Sequence, residues 1–297
     1  MVEAVFGLAQ RDSIFLNWIG AVSELCSGQI IAIDGKSLRH SYDTGGNRGA
    51  IHMVSAWACQ NRLVLGQHTV DEKSNEITAI PQLLRVLALE GCIVTSDAMG
   101  CQKTIAKAII DKQADYVLAL KANQGNLYRD VVQLFEYAQH NGFKDIEHAF
   151  YQTGSDGHGR IEVRRHWMLG QVSNLTNAQP WAGFNSIGVV QSERRIKGLT
   201  QVETRYYISS LSPDAHRFAE AVRSHWGIEN CLHWVLDVAF AEDASRVRKD
   251  HAPENLAVIR HIALNLLSQE KTAKGGMKVK RLKAVWDNDY LAKVFAQ

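Results

Sequence analysis

Residues 30–34 read Ile-Ile-Ala-Ile-Asp, a continuous apolar run that ends in an acid. Such a run predicts a buried strand, with Asp34 at its carboxyl end. Residues 92–97 (CIVTSD) repeat the pattern and end in Asp97. Between them, 51–59 (IHMVSAWAC) and 62–70 (RLVLGQHTV) flank Gln60 and Asn61, the spacing of a hairpin. A helix is expected next, capped by Thr78, with Pro81 in its first turn and Ile80, Leu83, Leu84 and Leu87 on one apolar face. A helix near 101–113 and a strand at 115–120 (DYVLAL) follow the second acidic strand.

The order β-β-β-α-β-α-β predicts an α/β chain that opens as a ribonuclease H-like mixed sheet with flanking helices. Ligands of open α/β sheets bind beyond the carboxyl ends of central strands, so Asp34 and Asp97 are expected to face one crevice. Residues 121–212 interrupt the pattern with a helix at 126–140 and strands at 161–169, 187–193 and 203–210, read as a β-rich insertion. A long helix is expected after Ser212, its N-cap, with Pro213 in first position. Its stripe runs through Phe218, Val222, Glu229, Leu232, Leu236 and Phe240, which turns Glu229 toward the sheet. A closing helix at 253–268 shows the same period through Leu256, Ile259, Ala263 and Leu266. The expected segments are therefore 1–29, ahead of the first acidic strand; 30–120, the first part of the core; 121–212, the insertion; 213–270, the long helix that carries Glu229 and the closing helix; and 271–297, a basic C-terminal segment.

Composition narrows the class. No apolar stretch reaches the roughly 18 residues that a spanning helix needs, and the N-terminus lacks a basic region followed by an apolar run. No membrane association is expected. The five cysteines are odd in number and scattered, without a Cys-x-x-Cys pair, which indicates neither a zinc ribbon nor a disulfide framework and fits a reducing cytoplasm. The net charge of +2 says little, but residues 271–283 (KTAKGGMKVKRLK) carry six Lys/Arg and no acid. Arg160, Arg164 and Arg165 cluster, as do Arg194, Arg195 and Lys197. Such patches attract phosphate backbones; they also occur as solvated tails and exposed strands.

A lone buried carboxylate is costly and takes a proton or a cation. Asp34, Asp97 and Glu229, each expected at the edge of the core, would suit hard-cation chemistry. Mg²⁺ binds through a few carboxylates, waters and substrate phosphates, and two ions about 4 Å apart serve in-line phosphoryl transfer. The alternative stays open that Asp34 and Asp97 are only turn formers beside Gly35 and Gly100. His225, Cys231 and His233 surround Glu229 without a second set to complete a zinc site. Residues 154–160 (GSDGHGR) lack the Lys-Ser/Thr ending of a phosphate loop and read as a turn.

The motifs IIAIDGKSLRHS, VDEKSNEITAIPQLL, GCIVTSDAMGCQ, DYVLALKANQ, HGRIEVRR, RYYISSL and HWGIENCLHWVLDVAFAEDASR occur in the order in which the H-repeat-associated transposases of bacterial insertion sequences carry them. The chain resembles that family over about residues 12–297. The resemblance implies a ribonuclease H-like fold, a β-rich insertion before the last catalytic helix, and DDE chemistry. Its first Asp falls on Asp34 of IAIDGK, its second on Asp97 of TSDAMG and its Glu on Glu229 of HWGIEN. What it implies is cleavage and strand transfer at the ends of a mobile element, in the cytoplasm at the nucleoid. The three acids would hold two Mg²⁺ ions, with Mn²⁺ able to substitute; the partner would be double-stranded DNA, and the active complex a homodimer. Candidate phosphate contacts are Lys36, Arg39, Lys73, Lys121, Arg160, Arg164, His225, Arg246, Lys278, Lys280 and Arg281. Two departures stand out. Only 33 residues precede Asp34, where the family has a larger helical region, so the resemblance implies that 1–29 is a remnant of it. The Tyr-Arg-Glu-Lys pattern of related transposases also meets Val222, His225, Glu229 and Leu236 here, of which only the Glu matches. A rival expectation is therefore a non-catalytic remnant that binds DNA or only dimerises, and a third is a plain metal-dependent nuclease.

Overall fold

The computed structural model describes residues 27–42, 49–70, 75–144, 146–157, 159–170 and 172–297. Most of the expected N-terminal remnant, and Lys73, lie outside the described residues. The chain divides into two compact units, one made of the described residues up to Ala88 together with Trp226–Gln297, the other of Leu89–His225.

In the first unit, β1 (Ile30–Ser37), β2 (His52–Ala58) and β3 (Leu63–Val70) form an antiparallel meander. β1 runs three residues past Asp34, so this acid lies within the strand, paired with Ser55, rather than at its end. The hairpin loop is four residues, Cys59–Arg62, closed by Arg62 in the left-handed region at φ 55°. Helix α1 (Glu76–Val86) packs on β2 and β3. Its cap is Asn75, whose Oδ1 accepts from Ile77 N at 3.1 Å; Thr78 instead bonds its hydroxyl to Asn75 O, and Pro81 sits in the helix interior.

The second unit holds β4 (Ile93–Ser96), α2 (Lys103–Ile110), β5 (Asp115–Leu120), α3 (Gly125–His140), β6 (His148–Gly157), β7 (Arg160–Leu169), β8 (Ser186–Ile196), β9 (Leu199–Ser209) and α4 (Ala215–His225). β4 runs parallel to β5, β5 pairs antiparallel with β9, and β9, β8, β7 and β6 continue antiparallel. β6 was not expected from the sequence, and GSDGHGR contributes the end of β6 and the start of β7. α4 packs on β6 and β7 from one face, with Phe218 against His166 and Tyr207. α3 lies on the other, with Phe135 against Trp167 and Tyr206. The helices cover only the base of the four strands. Toward the tips, Ile161, Ile196, Leu199 and Val202 are exposed. α4 is capped by Asp214, whose Oδ1 accepts from Arg217 N at 3.0 Å, in place of the expected Ser212.

Back in the first unit, the helix expected to run regularly through Glu229 changes type. Ile228–His233 is π-helical, and only then does α5 (Trp234–Phe240) begin. α6 (Ala252–Gln269) follows, and its Asn265, fully buried, bonds Val64 of β3 twice at 2.9 Å, through N–H and C=O. The segment 271–297 is no bare tail. Its α7 (Met277–Trp286) and α8 (Asn288–Phe295) place Tyr290 and Val294 in a cluster with Leu266 and Leu267. Among the described residues no helix is long and apolar enough to cross a membrane.

Candidate active site

Asp34 projects from the face of β1 that packs against the π-helical segment. Its neighbour there is His233, whose Nδ1 lies 3.5 Å from Asp34 Oδ2. Burial, then the charges of Lys36 and His52, hold the His233 imidazole down to about 4, against the pull of Glu76. The ring is therefore neutral near pH 7 and adds no cation beside Asp34. Gly35 faces the other way. A Cβ there would lie 2.2 Å from Glu76 Oε1 and 2.4 Å from His52 Nε2. That position is closed by the His52–Glu76 pair, which meets at 2.5 Å.

Glu229 sits in the first turn of the π segment, on the exposed side. Its carbonyl accepts the Trp234 N–H five residues on, the bond that defines the wide turn. Ile228, Leu232 and Leu236 take the buried positions. The sequence expectation turned Glu229 inward because it assumed a regular helical period. The extra residue in the turn alters that period and leaves the carboxylate open to solvent and ligands.

Asp97 follows β4 directly, as the sequence predicts. Its Oδ1 accepts from Met99 N at 2.9 Å and Gly100 N at 3.3 Å, which fixes the side chain over the next turn. That turn is held from a third side. Asn123 Nδ2 donates to Ala98 O at 2.7 Å and Gln124 Nε2 to Cys101 O at 3.0 Å, so the KANQ motif braces the Asp97 loop. His225 Nδ1 shares a 3.0 Å hydrogen bond with the Thr95 hydroxyl. Burial drives the His225 imidazole down to about 4 although the nearby Asp97 carboxylate pulls it up. His225 thus belongs to the surroundings of Asp97 in its own unit.

The candidate phosphate contacts divide by environment. Arg160, Lys121, Arg246 and Lys278 are exposed. Arg39 is exposed too, with Nε 3.2 Å from Asp243 Oδ2. Arg164 is bonded to the buried Glu162 at 2.6 Å. Lys280 donates to Leu267 O and Glu270 O and so closes the C-terminus of α6, and Arg281 lies over the Phe240 ring. Lys36 is enclosed by Asp237, Glu242 and Asp243. Sequence reasoning missed His233 as a neighbour of Asp34, Thr95, and the Asn123–Gln124 brace; only the polar KANQ run directly after an apolar strand hinted at the last.

The donor chemistry decides which metal these residues could hold. Among the described residues no group of three or more His, Cys, Asp or Glu is arranged to hold a metal ion by itself. Asp34, Asp97 and Glu229 offer carboxylate oxygens, and Mg²⁺ accepts a few of these while keeping waters and substrate phosphates as its other ligands. Carboxylate oxygens are thus the donor chemistry of a hard divalent ion completed by a phosphate-bearing ligand.

The fold is a mixed α/β one with flanking helices, and the comparisons with known proteins give its family. Residues 26–266 match the model of the transposase DDE domain, and the chain belongs to that family. YncI of Escherichia coli O157:H7, which carries the name of a candidate transposase, is 45% identical over 96% of this chain and 73% of its own length. YhhI of Escherichia coli K12, by name an H repeat-associated candidate transposase, is 43% identical over 97% of this chain and 77% of its own. Among solved structures, the piggyBac transposase synaptic complex with hairpin DNA matches with a TM-score of 0.50 at 11% identity, covering 96% of this chain and 57% of that one. That likeness is one of fold, a mixed sheet with flanking helices.

Proposed function

We propose that the chain is a DNA transposase that cleaves the ends of an insertion-sequence-like element and joins them to target DNA. The reading takes Asp34, Asp97 and Glu229 as the metal-holding acids. The observation that carries it is the packing of β1, with Asp34, against the π turn that leaves Glu229 exposed within a DDE-family chain. Bound to these carboxylates, one or two Mg²⁺ ions (or Mn²⁺) would activate the attacking oxygen and stabilise the leaving one. The protein's own task is positioning and charge, since phosphoryl transfer asks for little covalent help. Asp97 is pre-oriented by its own turn, and neutral His233 and His225 flank the acids without competing for them as cations. A phosphodiester at the element end would be hydrolysed first, and the freed 3′-hydroxyl would then attack target DNA.

The duplex would be gripped by exposed basic groups. On the bare part of the β6–β9 ribbon, one face carries Arg160, Arg164, Arg194 and Arg205 against Glu162 and Glu203. The opposite face balances Arg165 and Arg195 with Glu193 and Asp156. One side of the ribbon is thus cationic, and phosphate contacts of this kind set position and affinity without reading sequence. The place of action would be the nucleoid, and the active complex a dimer.

The test is a cleavage and strand-transfer assay on the flanking inverted-repeat DNA with Mg²⁺ or Mn²⁺. Asp34→Ala, Asp97→Ala and Glu229→Gln are each expected to lower cleavage by at least about a hundredfold, and double variants to be no worse than singles because the acids act as a unit. Near-normal cleavage by any single variant, or activity in excess chelator, would sink the proposal.

A further inference from the structure

Side chains two residues apart on a strand share a face, so Lys36 follows Asp34 toward the π segment and α5. Its ammonium carries three protons and meets three carboxylates: Asp237 Oδ1 at 2.7 Å, Glu242 Oε2 at 3.0 Å and Asp243 Oδ1 at 3.1 Å. The Lys36 side chain is 13% exposed and that of Glu242 2%. Burial works against the charged lysine, yet Glu242 and the bonds to all three acids outweigh it and raise its pKa. Lys36 stays charged and is already fully bonded, so it has no proton left to offer a DNA phosphate.

A second ring supports the first. Arg260 Nη1 stands 3.8 Å from Glu242 Oε1, and Arg39 bonds Asp243. The three acids all lie downstream of Glu229 on one stretch of chain. Asp237 is on α5, which continues the π segment, and Glu242 and Asp243 follow its left-handed terminus at Ala241, φ 51°. A cation two residues after one candidate metal ligand therefore holds the element that carries another. Buried ion pairs add little net stability, because desolvation offsets their attraction; what such a cluster can fix is geometry. The compact ammonium suits three converging acids, whereas the flat guanidinium of arginine does not.

We infer that Lys36 is a positioning residue: by binding Asp237, Glu242 and Asp243 it sets the π segment against β1 at the separation of Asp34 and Glu229 that a divalent ion requires. The inference rests on the metal-dependent reading above. The experiment uses the full chain and Mn²⁺ alone, with uptake followed by loss of the free-ion EPR signal, beside the Mn²⁺ dependence of cleavage and the thermal midpoint. Lys36→Met leaves Glu242 buried without its cation, so the double variant Lys36→Met/Glu242→Gln, which removes both charges, guards against a simple folding defect. Lys107→Met is the control, since it breaks a 2.8 Å pair with Asp111 on the surface of α2. The double variant is expected to fold and to need about tenfold more Mn²⁺ for half-saturation, the scale of effect seen when groups behind metal ligands are removed; the control should match wild type. Wild-type uptake by a folded double variant would overturn the inference alone. No Mn²⁺ uptake by the wild-type chain would overturn the catalytic reading, and the inference with it.

Discussion

His261 shows how a single buried side chain ties stability to pH. It is 3% exposed on α6. Burial, reinforced by His233 once it is itself protonated and by the charges of Lys36 and Arg260, depresses its pKa to about 3. In the unfolded chain the ring titrates at about 6.5. Below that pH the unfolded state takes up a proton that the folded state refuses until about pH 3, so stability is full above pH 6.5 and falls as the pH drops. The slope is about 1.4 kcal/mol per pH unit for one proton. Urea unfolding of His261→Gln is therefore expected to lose about 2 kcal/mol less than wild type between pH 7 and pH 5. Parallel losses in the two proteins would mean that His261 is charged, or reachable by water, in the folded state.

The π-helical segment makes the same argument for an element. A π turn holds one residue more than an α turn can accommodate, and Asn230 is exposed within Ile228–His233. Its deletion should let the helix close to regular bonds while Leu232, Leu236 and Asp237 keep their seats, swinging Glu229 relative to them by about 100°. The expected outcome is a folded chain, with circular dichroism like wild type, that no longer cleaves DNA. Retained cleavage would show that the wide turn has no part in placing Glu229. This turn also marks where the sequence stopped being legible. The strands of IIAID, CIVTSD and DYVLAL could be read because continuous apolar runs have few other fates, and Asp97 could be read because it ends one of them. β6 could not, because its outer residues are polar, glycine-rich and largely exposed. α6 was read only in part: Leu266 of the expected stripe is buried. Its buried face contains Glu254, His261 and Asn265, while Ile259, on the expected apolar stripe, is 52% exposed. The Lys36 cluster was hidden for another reason, since its partners lie 201 to 207 residues away and only folding brings them together.

At the scale of the whole molecule the question is which surface meets DNA. A direct approach, truncation of the basic segment 271–297, would remove Tyr290 and Val294 from the cluster they form with Leu266 and Leu267, so lost binding would report lost packing. Charge substitution on the ribbon is cleaner, because strand alternation sends neighbouring arginines to opposite faces. Arg194 shares a face with Arg160 and Arg164. There the one buried carboxylate of Glu162 answers both Arg164 at 2.6 Å and Arg194 at 3.5 Å, and positive charge is in excess. Arg195 is instead bonded to Glu193 on the balanced side, at 2.7 Å. The two side chains are similarly exposed, 46% and 58%, so exposure does not separate them. If the cationic face grips the duplex, each phosphate contact releases counterions and adds about 0.9 to the slope of log K against log salt. Arg160→Ala/Arg194→Ala is expected to weaken binding of a duplex and to flatten that slope by about 2, equally for the native inverted repeat and a scrambled sequence. Arg195→Ala should leave both affinity and slope near wild type, since its charge is already answered by Glu193. Binding isotherms from about 50 to 200 mM salt decide the matter. Equal losses from the two faces would mean that net charge alone attracts the DNA, and an unchanged slope in the double variant would move the grip off the ribbon to other exposed bases such as Lys278.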